Sequence, residues 1–411
     1  MKNLITLECN PTDPSQQVQE LANAIERGCW VQLFPTTGEK NIIPSDFLPK
    51  GPGVVLSSGG SCSGPHHCLQ PCSHLDQSAI ATGQWLREHG LEPKDSIIFN
   101  PLPLHHVSGL MPWWRSRIWG SKHTWLTPAL MRDPIALEKS CESLLQKKIG
   151  PILISLVPTH IQRLLNHPIG LRWLQYFDVI WVGGSALSEK LANYAREKKI
   201  RLAPCYGSTE TAAMVTALDP NAFLAGKRGC GNPLRDVQLR LNKNGALEVR
   251  TPRLASARWT NGHLVQLRDK EGWWQSGDSA KLTLENSLHQ LEIIGRLDTA
   301  IHSGGETIFP EILEIKILKI AQQTKLPIDN LIFLPIPDTE WGERLIGLVR
   351  WESKVTKVEQ QRHLKTLKKH VAKWLPAQRP LAWHGCPDLA PNAAGKWERS
   401  KWKDWLNNLI K

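Results

Sequence analysis

G-R-L-D-T-A-I-H-S-G-G-E-T-I-F-P-E-I-L-E, running from Gly295 to Glu314, sets an Arg and an Asp beside a Gly pair and then a Pro-Glu that opens an apolar helical run from Ile312. That composition suits a joint better than a core element. The chain is therefore expected to divide here, into a large lobe over 1–297 and a small one over 298–411.

With 411 residues, 41% of them hydrophobic, the chain can build two or three domains with substantial cores, and disorder is excluded. Met1 to Asn10 has no apolar core of a signal peptide, and runs such as Ile152 to Val157 fall far short of a bilayer span. A cytoplasmic protein without a membrane span is expected. Nine cysteines are scattered from Cys9 to Cys386 without the dense spacing of a disulfide framework, which points to reduced thiols. Cys62, Cys68 and Cys72 surround His66 and His67, but they include no C-x2-C pair and a Gly-Pro turn interrupts them, so spacing argues against zinc. The formal charge is +12; from Thr299 onward there are 18 Lys and Arg against 12 Asp and Glu. Arg362 to Lys373 has helical spacing and reads as a solvated basic face. Polyanionic small molecules explain such a surface without nucleic acid.

Outward from the joint, the rest of the chain has an α/β rhythm. Val54-Val55-Leu56 reads as a strand that enters S-S-G-G-S-C-S-G-P, Ser57 to Pro65, a small-residue loop whose N–H groups and hydroxyls suit an oxyanion. Ser73 is expected to cap a helix that stops at Gly90. A strand over Ser96 to Asn100 precedes P-L-P-L-H-H-V-S-G-L, Pro101 to Leu110, and His106 falls where α/β ligand sites collect. The strand Ile152 to Val157 leads into a short helix carrying Thr159, His160 and Arg163. Asp178 to Val182 is followed by a Gly-Gly-Ser turn and a helix that Ser188 would cap, and Ile200 to Cys205 runs into Y-G-S-T-E-T, Tyr206 to Thr211. Strand, turn and helix repeated in this way predict a parallel sheet with ligands at the carboxyl ends of its strands.

Asn244-Gly245 marks a hairpin within a small β subdomain over about 226–294, which ends in W-W-Q-S-G-D, Trp273 to Asp278. A carboxylate after a tight Gly turn suits the paired hydroxyls of a ribose. Beyond the joint, a helix over Glu311 to Ala321, strands over Leu331 to Ile336 and Leu345 to Trp351, and a helix over Val358 to Trp374 make a small α+β lobe. Its tail, P-N-A-A-G-K-W-E-R, places Lys396 on a Gly-containing loop before a last helix.

From Val54 to Arg399 these motifs, in this order, resemble the adenylate-forming superfamily of acyl-CoA ligases. The resemblance implies a phosphate loop of Ser57, Ser58, Gly59, Gly60 and Ser61, although His66 and His67 stand where the family has a Lys. It places His106 at the junction of acyl and ATP sites, and Gly184, Ser185, Tyr206, Gly207 and Ser208 in the nucleotide site. Thr209 would contact the α-phosphate, Glu210 would hold Mg²⁺, and Asp278 with Arg296 would bind the ribose. Asp298 would be the hinge of a mobile small lobe, Lys396 the catalytic lysine, and Gly304 and Gly305 part of a thiol tunnel.

S-L-V-P-T-x-I-x-R-L-L, Ser155 to Leu165, looks like the o-succinylbenzoate-CoA ligases, so Thr159, His160 and Arg163 are expected near the acid, whose second carboxylate Arg163 or His160 could meet. The implied reaction joins o-succinylbenzoate to CoA through an acyl-adenylate, with ATP and Mg²⁺, in menaquinone or phylloquinone biosynthesis. A ligase for another aryl or acyl acid is the neighbouring reading. A non-catalytic nucleotide-binding relative is favoured by the missing Lys and opposed by Glu210, Asp278, Arg296 and Lys396. The region before the phosphate loop is shorter than in most of the superfamily, and oligomeric state cannot be read from the sequence.

Overall fold

The computed structural model describes residues 3–37, 40–58, 66–146, 150–285, 288–392 and 397–410. It divides into two compact units. Of the described residues, the first takes those up to Ser276 together with Lys281–Glu292, and the second takes Gly277–Ala280 and those from Ile293 onward.

Among the described residues the first unit is built on two large sheets. In the seven-stranded one, Leu202–Ser208, Val179–Val182, Ile152–Leu156, Ile97–Asn100 and Lys122–Trp125 lie side by side and parallel, and Ala213–Ala217 and Asn232–Pro233 extend it antiparallel. Its inner strands are buried on both faces, which is why they read as unbroken apolar runs. Phe99, Trp173 and Phe177 pack edge to face against one side with ring centroids 4.6–5.6 Å apart.

The six-stranded sheet runs Leu4–Cys9, Trp30–Pro35, Gly53–Ser58, His66–Pro71, Ala257–Thr260 and His263–Val265. Its first three strands are parallel, and from Gly53–Ser58 onward the pairing is antiparallel. Val54 and Leu56 face the core shared with Leu75, Leu110 and Ala212, whereas Val55 and Leu69 face Trp30 and Ile43.

A four-stranded sheet of Gln238–Leu241, Ala246–Arg250, Trp274–Glu285 and Leu288–Arg296 carries the expected hairpin, with Gln238 opposite Arg250. In the second unit, the helices Pro310–Gln323 and Lys357–Val371 accompany a sheet whose long hairpin is Ile328–Asp338 with Gly342–Trp351. Ala382–Gly385 adds to that hairpin in parallel. Thr356 and Glu359 close a capping box at the start of the basic helix. The architecture is α/β, as the sequence predicts. No helix among the described residues is long and apolar enough to cross a membrane.

Three local expectations change. Ser73 does not cap its helix, which starts at Cys72 directly after the strand, and the Cys72 N–H is satisfied by the Pro52 carbonyl at 3.1 Å instead. Tyr206, Gly207 and Ser208 continue a strand into an antiparallel hairpin rather than turning toward a helix. Asp278 lies inside the strand Trp274–Glu285; Gly277 takes φ +77° without breaking it, a conformation open to glycine at low cost.

Candidate functional site

Four adjacent parallel strands of the first unit end at the same edge, and several of the expected site residues lie at or just after their carboxyl ends. After Ile97–Asn100 comes His106, at the N-terminus of the helix Val107–Trp119, its ring 4.3 Å from that of His105. Burial, with His106 beside it, pushes the His105 imidazole down to about 4.

After Ile152–Leu156, Thr159 is exposed in the first turn of the helix Pro158–Leu165. Burial, and then the charges of Arg163 and Arg132, push His160 down to about 4, so at neutral pH it is an uncharged hydrogen-bonding group. Arg163 is exposed, with Nη1 3.4 Å from the Met131 carbonyl, and carries the charge of this pair. After Val179–Val182, Gly184 at φ +84° and Ser185 are exposed.

The Y-G-S-T-E-T segment is the most constrained part of the edge. Gly207 is required by close approach, because a Cβ there would lie 2.2 Å from the Ala213 carbonyl oxygen and 2.4 Å from the Met214 Cα. The turn that follows places Ala212 and Ala213 at φ +51° and +82°, a region that L side chains rarely adopt. Thr211 stabilises it by accepting from the Ser208 N–H at 2.9 Å and donating to the Ala213 carbonyl at 2.6 Å. Arg253, wholly buried, donates to the carbonyls of Thr211 at 2.7 Å and Met214 at 3.0 Å and pairs with Asp236 at 2.7 Å. Sequence reasoning passed over both residues, since a lone Arg in T-P-R-L carries no periodic signal.

Thr209 and Glu210 are buried. Gln70 donates its amide to the Thr209 carbonyl at 2.6 Å, and the Ala255 N–H donates to that of Glu210 at 2.7 Å. The Glu210 carboxylate lies 3.0 Å from the His66 Nε2. Burial alone would raise the Glu210 pKa, but hydrogen bonds from His66, its own N–H and Ser208 outweigh it and hold the group below the usual carboxylate range. A buried ionised carboxylate beside a hydroxyl fits a divalent cation with phosphate oxygens. Of the phosphate loop, Ser57 lies within 3.0 Å of His67 Nδ1 and Ser58 ends its strand opposite His66; Gly59, Gly60 and Ser61 lie outside the described residues.

In the second unit, Arg296 lies 3.4 Å from Asp278 and makes a two-point contact with Asp298. Gly304 and Gly305 form the turn between the strands Ile301–Ser303 and Glu306–Ile308, exposed and at φ +57° and +83°. Lys396 lies outside the described residues. Three positions later, Arg399 forks onto the buried Glu314 at 2.9 Å through both Nη atoms and donates to the Phe333 carbonyl, fixing the start of the last helix. That anchor was also missed, because Glu314 is 85 positions away.

Residues 71–253 match the family model described as AMP-binding enzyme. The 2-succinylbenzoate–CoA ligase of Escherichia coli (strain K12) is 30% identical over 305 residues, which are 74% of this chain and 59% of that protein. The chain thus spans less than two thirds of that relative's length. The o-succinylbenzoate CoA synthetase of Bacillus subtilis in complex with its acyl-adenylate intermediate superposes with a TM-score of 0.71 at 19% identity, covering 98% of this chain and 83% of that one. The same enzyme in complex with ATP and magnesium ion gives 0.69 at 18% identity, with 97% and 84% covered. A strand-edge site with the Y-G-S-T-E-T hairpin at its centre, a match to the AMP-binding enzyme model over residues 71–253 and a match in fold over 98% of the chain make this chain similar to AMP-binding enzymes.

Proposed function

We propose that this chain is an acid–thiol ligase that joins o-succinylbenzoate to CoA at the expense of ATP, acting in the cytoplasm in menaquinone or phylloquinone biosynthesis. The observation that carries this reading is the anchored Thr209-Glu210 pair, with its ionised buried carboxylate, at the carboxyl edge of the sheet. The names of the similar proteins support the choice of acid.

A carboxylate is a poor electrophile, so its oxygen first attacks the α-phosphorus of ATP; pyrophosphate leaves and an acyl-adenylate remains. Thr209 hydrogen-bonds the α-phosphate, and Asp278 and Arg296 bind the ribose. Glu210 would hold Mg²⁺, which when bound neutralises charge on the phosphate oxygens. Lys396 supplies a further cation for this half-reaction. At the acid, Arg163 is the better partner for the second carboxylate, because His160 is uncharged at neutral pH. In the second half-reaction the CoA thiol attacks the acyl carbon and AMP leaves. We take 298–411 as the mobile lobe, Asp298 as its hinge, and Gly304 and Gly305 as backbone that a pantetheine arm can pass closely.

ATP–pyrophosphate exchange with Mg²⁺ and a panel of carboxylic acids tests the reading, beside a Lys396→Ala variant. Exchange confined to o-succinylbenzoate and lost in the variant is expected. Exchange with a different acid keeps the chemistry and discards the pathway. ATP binding without exchange for any acid replaces the ligase with a nucleotide-binding relative.

A further inference from the structure

We propose that His66, Cys68 and Glu210 form a binding site for a zinc-class divalent cation. His66 and Cys68 stand two apart on the strand His66–Pro71, so their side chains leave the same face. Gln70 is next on that face, and its amide donates to the carbonyls of Thr209 at 2.6 Å and Glu210 at 3.3 Å, which brings the strand up against Glu210. One ligand atom from each of the three residues lies within 4.8 Å of the other two, and all three residues are buried.

A tetrahedral ion with bonds of about 2.0–2.3 Å needs ligand atoms roughly 3.3–3.8 Å apart, so the site closes with a small side-chain contraction while the Glu210 backbone stays pinned. The donor set decides the metal. An imidazole, a thiolate and one carboxylate suit zinc, whereas magnesium takes oxygen ligands alone. On binding, the Cys68 thiol gives its proton to solvent as the metal–sulfur bond forms, and thiolate and carboxylate balance the ion's two charges. Three protein ligands leave the fourth position to water. An ion held there would occupy the carboxylate assigned above to magnesium and so act as an inhibitor; that consequence rests on the ligase reading, and the binding itself does not.

The test uses the full chain, stripped of metal by chelation and titrated with Co²⁺ as a coloured stand-in for zinc. One equivalent should give a near-ultraviolet thiolate-to-cobalt charge-transfer band and the visible absorption of tetrahedral cobalt, both displaced by Zn²⁺. Cys68→Ser should abolish the charge-transfer band, Cys72→Ser should leave it unchanged, and His66→Gln and Glu210→Gln should each weaken cobalt binding by about ten-fold or more. Absence of the band in the native chain, its survival in Cys68→Ser or its loss in Cys72→Ser overturns the proposal. Should Cys68→Ser fail to fold, full cobalt affinity in both His66→Gln and Glu210→Gln overturns it equally.

Discussion

Arg296 grips Asp298 at two points, Nε to Oδ1 at 2.9 Å and Nη2 to Oδ2 at 2.8 Å, while its Nη1 lies 3.4 Å from Asp278. One guanidinium thereby joins the residue expected at the ribose to the residue expected to be the hinge. Both Arg296 and Asp298 are substantially solvated, so the pair adds little to stability, on the order of 1 kcal/mol or less. Asp298→Asn should therefore melt within about 2 °C of the native chain. On the ligase reading it should retain adenylation, measured by pyrophosphate exchange, and lose about ten-fold in the CoA-dependent step. Equal loss in both half-reactions would remove Asp298 from the hinge.

Gly207→Ala should be disruptive out of proportion to one methyl group. The added carbon meets backbone atoms of Ala213 and Met214, which cannot rotate away as a side chain would. A loss of about 1–3 kcal/mol in urea unfolding is expected, with a larger fractional loss of ATP affinity.

Arg253→Met should destabilise the first unit by about 3–5 kcal/mol, because it leaves Asp236 and two carbonyls without their buried donor. Arg253→Lys should recover only part of that, since an ammonium cannot reproduce the fork. Urea midpoints of the two variants check both the size and the order.

Acid should unfold the first unit early. Burial holds His105, His123 and His160 at about 4, against an ordinary value of 6.5. The folded-state values are depressed, so the folded state binds fewer protons than the unfolded one in this window. Their contribution to stability is full above about pH 6.5 and is lost as the pH falls toward 4, each group adding up to about 1.4 kcal/mol per pH unit. His123 Nε2 lies 3.2 Å from the Asn100 amide nitrogen and accepts from it only when neutral. His123→Gln keeps an acceptor there and takes up no proton, so urea midpoints between pH 7 and 4.5 should fall less steeply by one proton.

The parallel strands, the basic helix and the Asn244-Gly245 hairpin were legible because apolar runs, helical spacing and turn chemistry are local signals. Ser188 was rightly read as a cap and Ser73 wrongly, because the strand His66–Pro71 runs directly into a helix that already starts at Cys72, which leaves Ser73 inside the first turn. The partner of Glu210 was hidden too. His66 looked like a departure from a phosphate-loop pattern, and nothing local says that it meets a carboxylate 144 positions away. Likewise the spacing around Cys68 argued against a metal because Glu210, the third residue of its cluster with His66, lies far away in sequence.

The order of strands also fixes an order of events during synthesis. The strand His66–Pro71 receives its second neighbour only when Ala257–Thr260 has been made, and the Leu69 carbonyl bonds to Ser256, 187 positions later. At about 5–20 residues per second the ribosome leaves that strand edge open for roughly 10–40 s. An open edge of this kind is a template for pairing with another chain. A nascent polypeptide that stalls before Ala257 should therefore be more aggregation-prone than the completed chain.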